Sequence, residues 1–256
     1  MINSYKNVLI TGGAGRIGFA IAKKLINSNY CCLIADNNEN NLEEAYINLE
    51  KINPKKIKKI VCDVTSSSDI DKLILEAEEL FGTFHGAIHC AYPKSEKWGL
   101  GFEELTESEL KDSLFMQLGS SILFSQKIIE SYRKFGGGDL IHLSSIQGIQ
   151  APKFEHYEGT DMESPIEYSA IKSGIIAITK WLAKKYKNMN IRVNCISPGG
   201  ILDNQPEIFL DRYRKSCTNI GMLNPYQVAD AAYFLLSDSS KAINGQNIII
   251  DDGWSL

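Results

Sequence analysis

Tyr168 and Lys172 are the pair of residues in this sequence whose types and spacing best suit proton transfer. They stand four positions apart in a segment of helical periodicity, so both side chains leave the same face of a helix. A free tyrosine has a pKa of about 10, which is too high for acid–base chemistry at neutral pH. Because a neighbouring cation favours the phenolate, we expect Lys172 to lower the pKa of Tyr168. The spacing alone is common, and a pair of surface residues on a helix is the alternative.

A glycine-rich turn follows the first apolar segment of the chain, and a helical segment follows the turn. Glycine adopts positive φ and lets the backbone approach a bound group closely. A helix that begins in such a turn directs free N–H groups and its positive dipole end at an anion. The pattern therefore favours a dinucleotide pyrophosphate over a tight turn without a ligand. The residues concerned are Gly12, Gly15, Arg16, Ile17 and Gly18.

Asp36 directly follows the second apolar segment and is the acidic residue that such a dinucleotide-binding unit requires. A carboxylate there accepts hydrogen bonds from the ribose hydroxyls of NAD and repels the additional phosphate of NADP. Arg16 points to the opposite choice, since a basic side chain in the turn could hold that phosphate. We predict NAD as the cofactor, with NADP less favoured, and keep a polar residue at a helix start as the alternative for Asp36.

Short apolar segments alternate with longer amphipathic ones along the chain. This alternation predicts an α/β fold with one domain over residues 1–256, built on a doubly wound parallel sheet with helices on both faces. Two segments, 93–102 and 150–163, are interpreted as insertions that cover the crevice at the strand ends. The predicted strands are Asn7–Thr11, Cys31–Ala35, Lys59–Val64, Phe84–Ala91, Asp139–Ser144, Ile191–Ile196 and Asn247–Ile250. The predicted helices are Ile17–Ser28, Glu39–Lys51, Asp69–Phe81, Ser108–Phe135, Pro165–Tyr186 and Pro225–Leu236.

Composition and charge argue against several classes of protein. The net charge of −4 disfavours nucleic acid or an anionic membrane as the main partner. The first residues, Met1–Lys6, lack the apolar core of a signal peptide, and no segment approaches the ~18 apolar residues of a membrane span. The six cysteines show neither metal-ligand nor disulfide spacing. We therefore expect a cytoplasmic protein with reduced thiols and no bound metal.

Residues at the ends of later strands strengthen the interpretation of Tyr168 and Lys172. Ser145 follows the fifth predicted strand, where its hydroxyl could hydrogen-bond a substrate carbonyl or alcohol. Pro198 and Gly199 follow the sixth, where they would turn the backbone across a nicotinamide ring. Together with the glycine turn and Asp36, these residues predict a nicotinamide-dependent oxidoreductase.

The combined motifs resemble the short-chain dehydrogenases/reductases over nearly the whole chain, from Thr11 to Gly253. The resemblance implies a single Rossmann-like domain and hydride transfer between a nicotinamide and a carbonyl/alcohol pair. It also implies Tyr168 as general acid/base, Lys172 as its pKa partner and ribose ligand, and Ser145 as the substrate-polarising hydroxyl. A homotetramer or homodimer through the two long helices is implied as well. The further cofactor contacts that it implies are Asp63, Val64, Cys90, Ala91, Pro198, Gly199 and Ile201.

The sequence departs from the family pattern at four places. Arg16 replaces the middle glycine of the turn, and the tetrapeptide ending in Tyr92, His-Cys-Ala-Tyr, stands where Asn-Asn-Ala-Gly is usual. Gln117 replaces the asparagine that helps to hold a proton-relay water, with the same amide one methylene further out. The stretch between Ser145 and Tyr168 is longer than usual. We expect its polar side chains to overhang the substrate crevice: His156, Tyr157, Glu158, Asp161 and Glu163.

A polar cover over the crevice suits a hydroxyl-rich substrate better than a fatty chain. Segments Ser164–Gly174 and Asn194–Glu207 resemble the dehydrogenases of bacterial flagellin modification, which implies a sugar or sugar phosphate from a nonulosonic (legionaminic-type) pathway. A 3-oxoacyl-carrier-protein or polyol reductase is the alternative enzyme. A dinucleotide-binding scaffold or sensor without catalysis is the alternative from another class.

Overall fold

Seven parallel strands form one sheet at the centre of a computed structural model that describes residues 6–256. Their order across the sheet is β3-β2-β1-β4-β5-β6-β7, which confirms the predicted doubly wound fold. Winding reverses between β1 and β4, the point at which ligand crevices open in such sheets. The prediction for the segment before residue 6 lies outside the described residues. The strands are β1 Asn7–Thr11, β2 Cys31–Asp36, β3 Ile57–Val61, β4 Gly86–His89, β5 Gly138–Leu143, β6 Ile191–Pro198 and β7 Asn247–Ile250.

Helices cover both faces of this sheet because successive side chains of each strand point to opposite sides. In β1, Val8 and Ile10 pack into one core with α1, α2 and α8, while Leu9 packs into the other with α3 and α5. Within residues 6–256, no helix is both long and apolar enough to cross a bilayer. The helices are α1 Arg16–Asn27, α2 Glu39–Glu50, α3 Ser67–Phe81, α4 Glu107–Leu114, α5 Ser120–Phe135, α6 Ile166–Lys185, α7 Glu207–Lys215 and α8 Pro225–Leu236.

The long helix predicted over Ser108–Phe135 is interrupted by a π-helical turn at Phe115–Gly119, between α4 and α5. The side chains of Ser120 and Ser121 both donate to the Gln117 carbonyl, at 3.1 and 2.6 Å. Such hydroxyl bonds compete with the regular helical ladder and favour a local change of winding. The turn buries the side chain of Gln117.

Two further elements differ from the prediction. Strand β3 occupies Ile57–Val61 rather than Lys59–Val64, because β2 ends at Asp36 and its ladder with β3 ends at Val61. Charged lysines are tolerated in β3 since it is an edge strand of the sheet. Helix α7 was not predicted at all, because only two of its residues, Phe209 and Tyr213, are buried.

Two histidines of the central strands, His89 of β4 and His142 of β5, are buried, and their surroundings favour the neutral form. His89 Nδ1 pairs with Thr11 Oγ1 at 2.8 Å. His142 lies between the hydroxyls of Ser125 and Thr179, each at 2.8 Å. Burial lowers the pKa of His89 to about 3 and that of His142 to about 4. Protonation of either ring therefore destabilises the folded state.

Acidification should destabilise the protein below neutral pH. Because an unfolded histidine binds a proton near pH 6.5 and the folded rings do not, their stabilisation is complete above about 6.5 and is lost as pH falls toward 4. Each histidine should lower the free energy of unfolding by about 1.4 kcal/mol per pH unit within that window. Urea unfolding at pH 7.0 and 5.5 measures this loss. The variant His142→Asn should lose less stability between the two pH values; an equal loss would contradict the assignment.

Candidate active site

An elongated groove opens at the carboxyl ends of β1, β4, β5 and β6. Its main cleft has a volume of about 650 Å³, and a smaller cavity of about 210 Å³ continues it toward Asp36 and Val64. A ligand with two ends can therefore occupy both parts. The predicted site residues that line the main cleft are Gly12, Gly15, Arg16, Ile17, Gly18, Cys90, Ala91, Ser145, Tyr168, Lys172, Gly199 and Ile201.

Three predicted site residues are not among the groove-lining residues of the described chain. The Asp63 carboxylate instead accepts hydrogen bonds from the backbone N–H and the hydroxyl of Thr65, at 2.9 and 2.8 Å. Pro198 is the last residue of β6 and pairs with Ile250 of β7. Gln117 is buried, and its amide lies close enough to the Tyr92 hydroxyl to lower the pKa of that phenol, although neither amide atom makes a hydrogen bond of normal length within the described residues.

The glycine turn is shaped by close backbone contacts. Gly12 has φ of +64°, and a Cβ there would lie 2.7 Å from Ala91 Cα. A Cβ on Gly18 would overlap the carbonyl oxygen of Gly12. Helix α1 begins after Gly15 with no side-chain cap and no acidic residue in its first turn. Its positive end is therefore left for an anionic ligand, which fits the pyrophosphate of a dinucleotide.

Asp36 and Arg16 have different partners in the groove. The Asp36 carboxylate accepts from Ala14 N–H at 3.1 Å and from Asn38 N–H at 3.2 Å, which fixes it beside the turn. The Arg16 guanidinium forms an ion pair with Asp203, in the loop that follows β6. This pair lowers the pKa of Asp203. The positive charge of Arg16 is thus already balanced by the opposite wall of the cleft.

Ser145, Tyr168 and Lys172 meet where β5 ends and α6 begins. Lys172 Nζ donates to the Leu143 carbonyl at 3.2 Å and lies 5.4 Å from the centroid of the Tyr168 ring. The Ser144 hydroxyl donates to the Lys172 carbonyl at 2.7 Å, which ties α6 to the end of β5. Ser145 is buried beside Tyr168, and its hydrogen bond lowers the pKa of that phenol.

Burial dominates the protonation of this pair. It raises the pKa of Tyr168 above its ordinary value, against the smaller effect of Ser145. It lowers the pKa of Lys172 to about 8. The net direction for Tyr168 is upward because desolvation is the largest influence on it. The lowering expected from Lys172 stays a prediction.

The segment 150–163 contributes to the cleft differently from the prediction. Its side chains that line the cleft are His156, Tyr157 and Met162. The three acidic residues expected to overhang the crevice, Glu158, Asp161 and Glu163, are exposed to solvent instead. The exposed carboxylates retain their hydration. Phe154 of the same segment is exposed as well and does not line the main cleft.

An aromatic wall that the sequence had not indicated completes the cleft. Tyr213 from α7 stacks on Trp254 with ring centroids 5.9 Å apart, and His156 lies 5.7 Å from the Tyr213 ring. His156 Nε2 pairs with Ser216 Oγ at 2.9 Å. Tyr213 Oη accepts from Gly200 N–H at 2.6 Å, which joins the wall to the end of β6. The spacing of four between the apolar residues of α7 is the one local signal that could have indicated this wall.

Gln147 connects the segment 150–163 to the end of β5. Its Nε2 donates to the Tyr157 hydroxyl at 3.1 Å, and its Oε1 accepts from the Ser164 hydroxyl at 2.8 Å. The cleft therefore combines polar groups near Ser145 with aromatic rings further out. Such an arrangement holds a small molecule that has both hydroxyl groups and apolar faces.

Residues 12–255 match the protein-family model described as enoyl-(acyl carrier protein) reductase. The chain belongs to the short-chain dehydrogenases/reductases. It is accordingly an oxidoreductase of Rossmann-like fold that uses a nicotinamide dinucleotide. The glycine turn, the uncapped α1 and the elongated groove fit that cofactor.

Relatives of this short-chain dehydrogenase/reductase match it over almost its whole length. Post-translational flagellin modification protein A of Campylobacter coli is 41% identical over 252 residues, which cover 98% of each chain. A 3-oxoacyl-[acyl-carrier-protein] reductase of Chlamydia muridarum is 27% identical and covers 98% of this chain and 97% of its own. The crystal structure of a short-chain dehydrogenase from Leptospira borgpetersenii with bound NAD+ is 30% identical. It superposes with a TM-score of 0.87 over 99% of this chain and 94% of that one.

Replacing Gly18 with alanine should disrupt the cofactor-binding turn. The new methyl group overlaps backbone of the same turn, which cannot move without displacing β1, so we expect a loss of roughly 1–3 kcal/mol in stability. The matched control is Gly15→Ala, since a Cβ there meets only Gly12 O at 3.2 Å and the local φ is −72°. Thermal unfolding compares them; equal melting temperatures for the two variants would contradict the packing account.

Proposed function

We propose that this enzyme interconverts a carbonyl and a secondary alcohol on a sugar or sugar phosphate, with NAD(H) as the hydride carrier. The proposed setting is the synthesis of bacterial surface glycans, in particular the nonulosonic sugars of flagellin. The observation that carries the proposal is the meeting of Ser145, Tyr168 and Lys172 at the junction of the dinucleotide groove and a mixed polar and aromatic cleft.

In the proposed mechanism, the bound nicotinamide supplies or accepts the hydride. Ser145 Oγ hydrogen-bonds the reacting oxygen of the substrate, and Tyr168 Oη donates the proton in reduction or removes it in oxidation. The raised pKa of Tyr168 suits the donor role at neutral pH. In oxidation the phenol must first ionise, and both the Ser145 hydrogen bond and a cationic Lys172 stabilise the phenolate.

Gln117 is proposed to take part in proton relay behind Lys172. A buried amide without a hydrogen bond of normal length is costly, and an ordered water is the usual partner of such a group. A water held there would link the lysine to solvent. The π-helical turn supports this role, since such turns direct side chains at functional sites.

Three features support NAD over NADP. The Asp36 carboxylate is fixed beside the turn, where it would meet the adenosine ribose. The Arg16 charge is paired with Asp203, so it is not free to balance a 2′-phosphate. The relative from Leptospira borgpetersenii binds NAD+. The proposal also assigns an adenine contact to Val64 and nicotinamide contacts to Gly199 and Ile201, which line the groove. Contacts of Asp63 with the adenine and of Pro198 with the nicotinamide stay predictions, since neither residue lines it.

The cleft and the relatives support a sugar substrate. Gln147 and Tyr157 offer hydrogen-bonding groups next to Ser145, and the aromatic wall offers an apolar surface for the face of a sugar ring. Lys94 lines the same cleft and would attract a phosphate group. The identity of 41% to flagellin modification protein A points to the same class of pathway.

A second candidate is reduction of an acyl-carrier-protein thioester or a simple polyol. The family description and the relative from Chlamydia muridarum favour it. The polar network of Gln147, Tyr157 and Ser164 counts against a fatty chain. An acyl group would displace water from these polar side chains and offer them no hydrogen bond in return. A non-catalytic scaffold is the third candidate, and the retention of Ser145, Tyr168 and Lys172 counts against it.

We also propose a cytoplasmic homodimer or homotetramer that assembles through the long helices. Ile122 on α5 and Trp181 on α6 leave 48% and 60% of their surfaces exposed, and a partner subunit on these helices would cover them. Free thiols at all six cysteines suit a reducing compartment. Segments 93–102 and 150–163 are proposed to cover the substrate.

A screen of sugar phosphates and nucleotide sugars, read by nicotinamide absorbance, tests the proposed reaction. Turnover of a member of these classes is expected, and activity confined to acyl thioesters would refute the sugar proposal. With the substrate found, Tyr168→Phe should lower kcat by about 10²–10⁴-fold and leave the Kd of NADH nearly unchanged. Tyr186→Phe, at the far end of α6, is the matched control and should retain turnover.

Fluorescence titration with NADH and NADPH tests the cofactor assignment. We expect NADH to bind more tightly by about tenfold or more, a difference of at least about 1.4 kcal/mol, because Asp36 repels the additional phosphate. Asp36→Asn should reduce the preference for NADH, measured as the ratio of the Kd of NADPH to the Kd of NADH. Glu39→Gln, which removes an exposed carboxylate from α2, should leave this ratio unchanged. Tighter binding of NADPH by the unaltered protein would overturn the assignment.

A further inference from the structure

Tyr92, which follows β4, places its ring against the proton-transfer pair. The rings of Tyr92 and Tyr168 meet edge to face with centroids 5.9 Å apart and an interplanar angle of 82°. Lys172 Nζ lies 5.2 Å from the Tyr92 centroid and 5.4 Å from that of Tyr168. The lysine nitrogen is thus within the range of cation–π attraction for both rings.

The ring of Tyr92 is held in this position by the segment 93–102. Trp98 meets Tyr92 and Tyr168 edge to face, with centroids 5.7 and 6.2 Å away. The indole packs against the apolar cluster that contains Ile171 of α6 and Leu118 of the π-helical turn. Three rings therefore contact one another around the proton-transfer site, and this mutual packing restricts their rotation.

Burial disfavours the charged form of Lys172, and few nearby groups stabilise that charge. The Leu143 carbonyl accepts one hydrogen bond from Nζ. The Cys90 and Cys195 thiols next to it are themselves held protonated, since burial raises the pKa of both and that of Cys195 reaches about 12. The other titratable groups around the two side chains are His89 at the end of β4, Tyr168 and Glu167 of α6, and Lys94, whose Nζ lies 5.4 Å from the Tyr92 centroid. His89 is neutral, so it does not stabilise the cation.

We propose that Tyr92 is a positioning residue of the proton-transfer site, whose ring braces that of Tyr168 and holds the buried Lys172 nitrogen as a cation. The negative face of an aromatic ring attracts a cation most strongly where water is excluded. Lys172 is buried, whereas Tyr92 leaves 39% of its surface exposed, so water is excluded on the lysine side of the contact. Such a charge is what Tyr168 needs beside it when the phenol ionises. The inference rests on the proposed function for its role in catalysis, but the state of Lys172 can be measured without a substrate.

The test measures the pKa of Lys172 directly, by competitive acetylation with acetic anhydride between pH 6 and 10 and mass spectrometry of the digested protein. Three proteins are compared: the unaltered chain, Tyr92→Leu and Tyr92→Phe. Tyr92→Leu should lower the pKa of Lys172 by about half a unit to one unit, because the cation loses its ring partner. Tyr92→Phe keeps the ring and should keep the original value. Lys55 and Lys184, which are exposed, serve as internal references and should not change.

An unchanged Lys172 pKa in Tyr92→Leu would overturn the proposal. An equal fall in Tyr92→Phe and Tyr92→Leu would assign the effect to the hydroxyl and would overturn it too. Tyr92→Met, which fills the space with a flexible side chain, replaces the leucine variant should thermal unfolding show that the latter is not folded. Failure of the sugar screen would leave the Lys172 result intact, so the two proposals fail separately.

Discussion

The fit of the glycine turn between β1, α1 and the end of β4 is the contact on which the rest of the site depends. Gly12 lies against the backbone that joins Cys90 to Ala91, and Gly18 lies against the carbonyl of Gly12. No side chain can enter either contact. The turn thereby brings the start of α1 close to the carboxyl ends of the central strands. The groove for an elongated ligand runs between this helix start and the strand ends.

The same packing sets the environment of the residues beyond β4. Since Ala91 is fixed against the turn, the chain that follows it must leave the sheet toward α6, and this direction places Tyr92 beside Lys172. A glycine at this position would leave Lys172 without the Tyr92 ring beside it.

Burial at this site creates opposed requirements. The low polarity that raises the pKa of Tyr168 also lowers that of Lys172, so each group is shifted toward its neutral form. In the proposed mechanism, reduction of a carbonyl would use the neutral phenol directly. Oxidation would need a phenolate and a cation together, and that state would depend on nearby groups which favour charge, such as the Ser145 hydroxyl and the faces of aromatic rings.

The sequence predicted the parts of the fold that local patterns determine. Periodicity located β1, α1 and β2, and the glycines fixed the turn between them, since no other residue fits those contacts. The π-helical turn around Gln117 was missed because it arises from serine side chains bonding to backbone carbonyls, which periodicity does not register. The pKa of Tyr168 could not be predicted from spacing, because desolvation depends on residues distant in sequence.

The substrate side of the cleft was the least predictable part, and the reason is physical. Its wall combines segment 150–163, α7 and Trp254, which meet only through tertiary contacts such as His156 with Ser216 and Gln147 with Tyr157. These segments lie outside the sheet, so they can change without altering the strand ends that carry Ser145 or the turn that receives the cofactor. The contacts that select a substrate are therefore tertiary ones, and the fold class does not determine them.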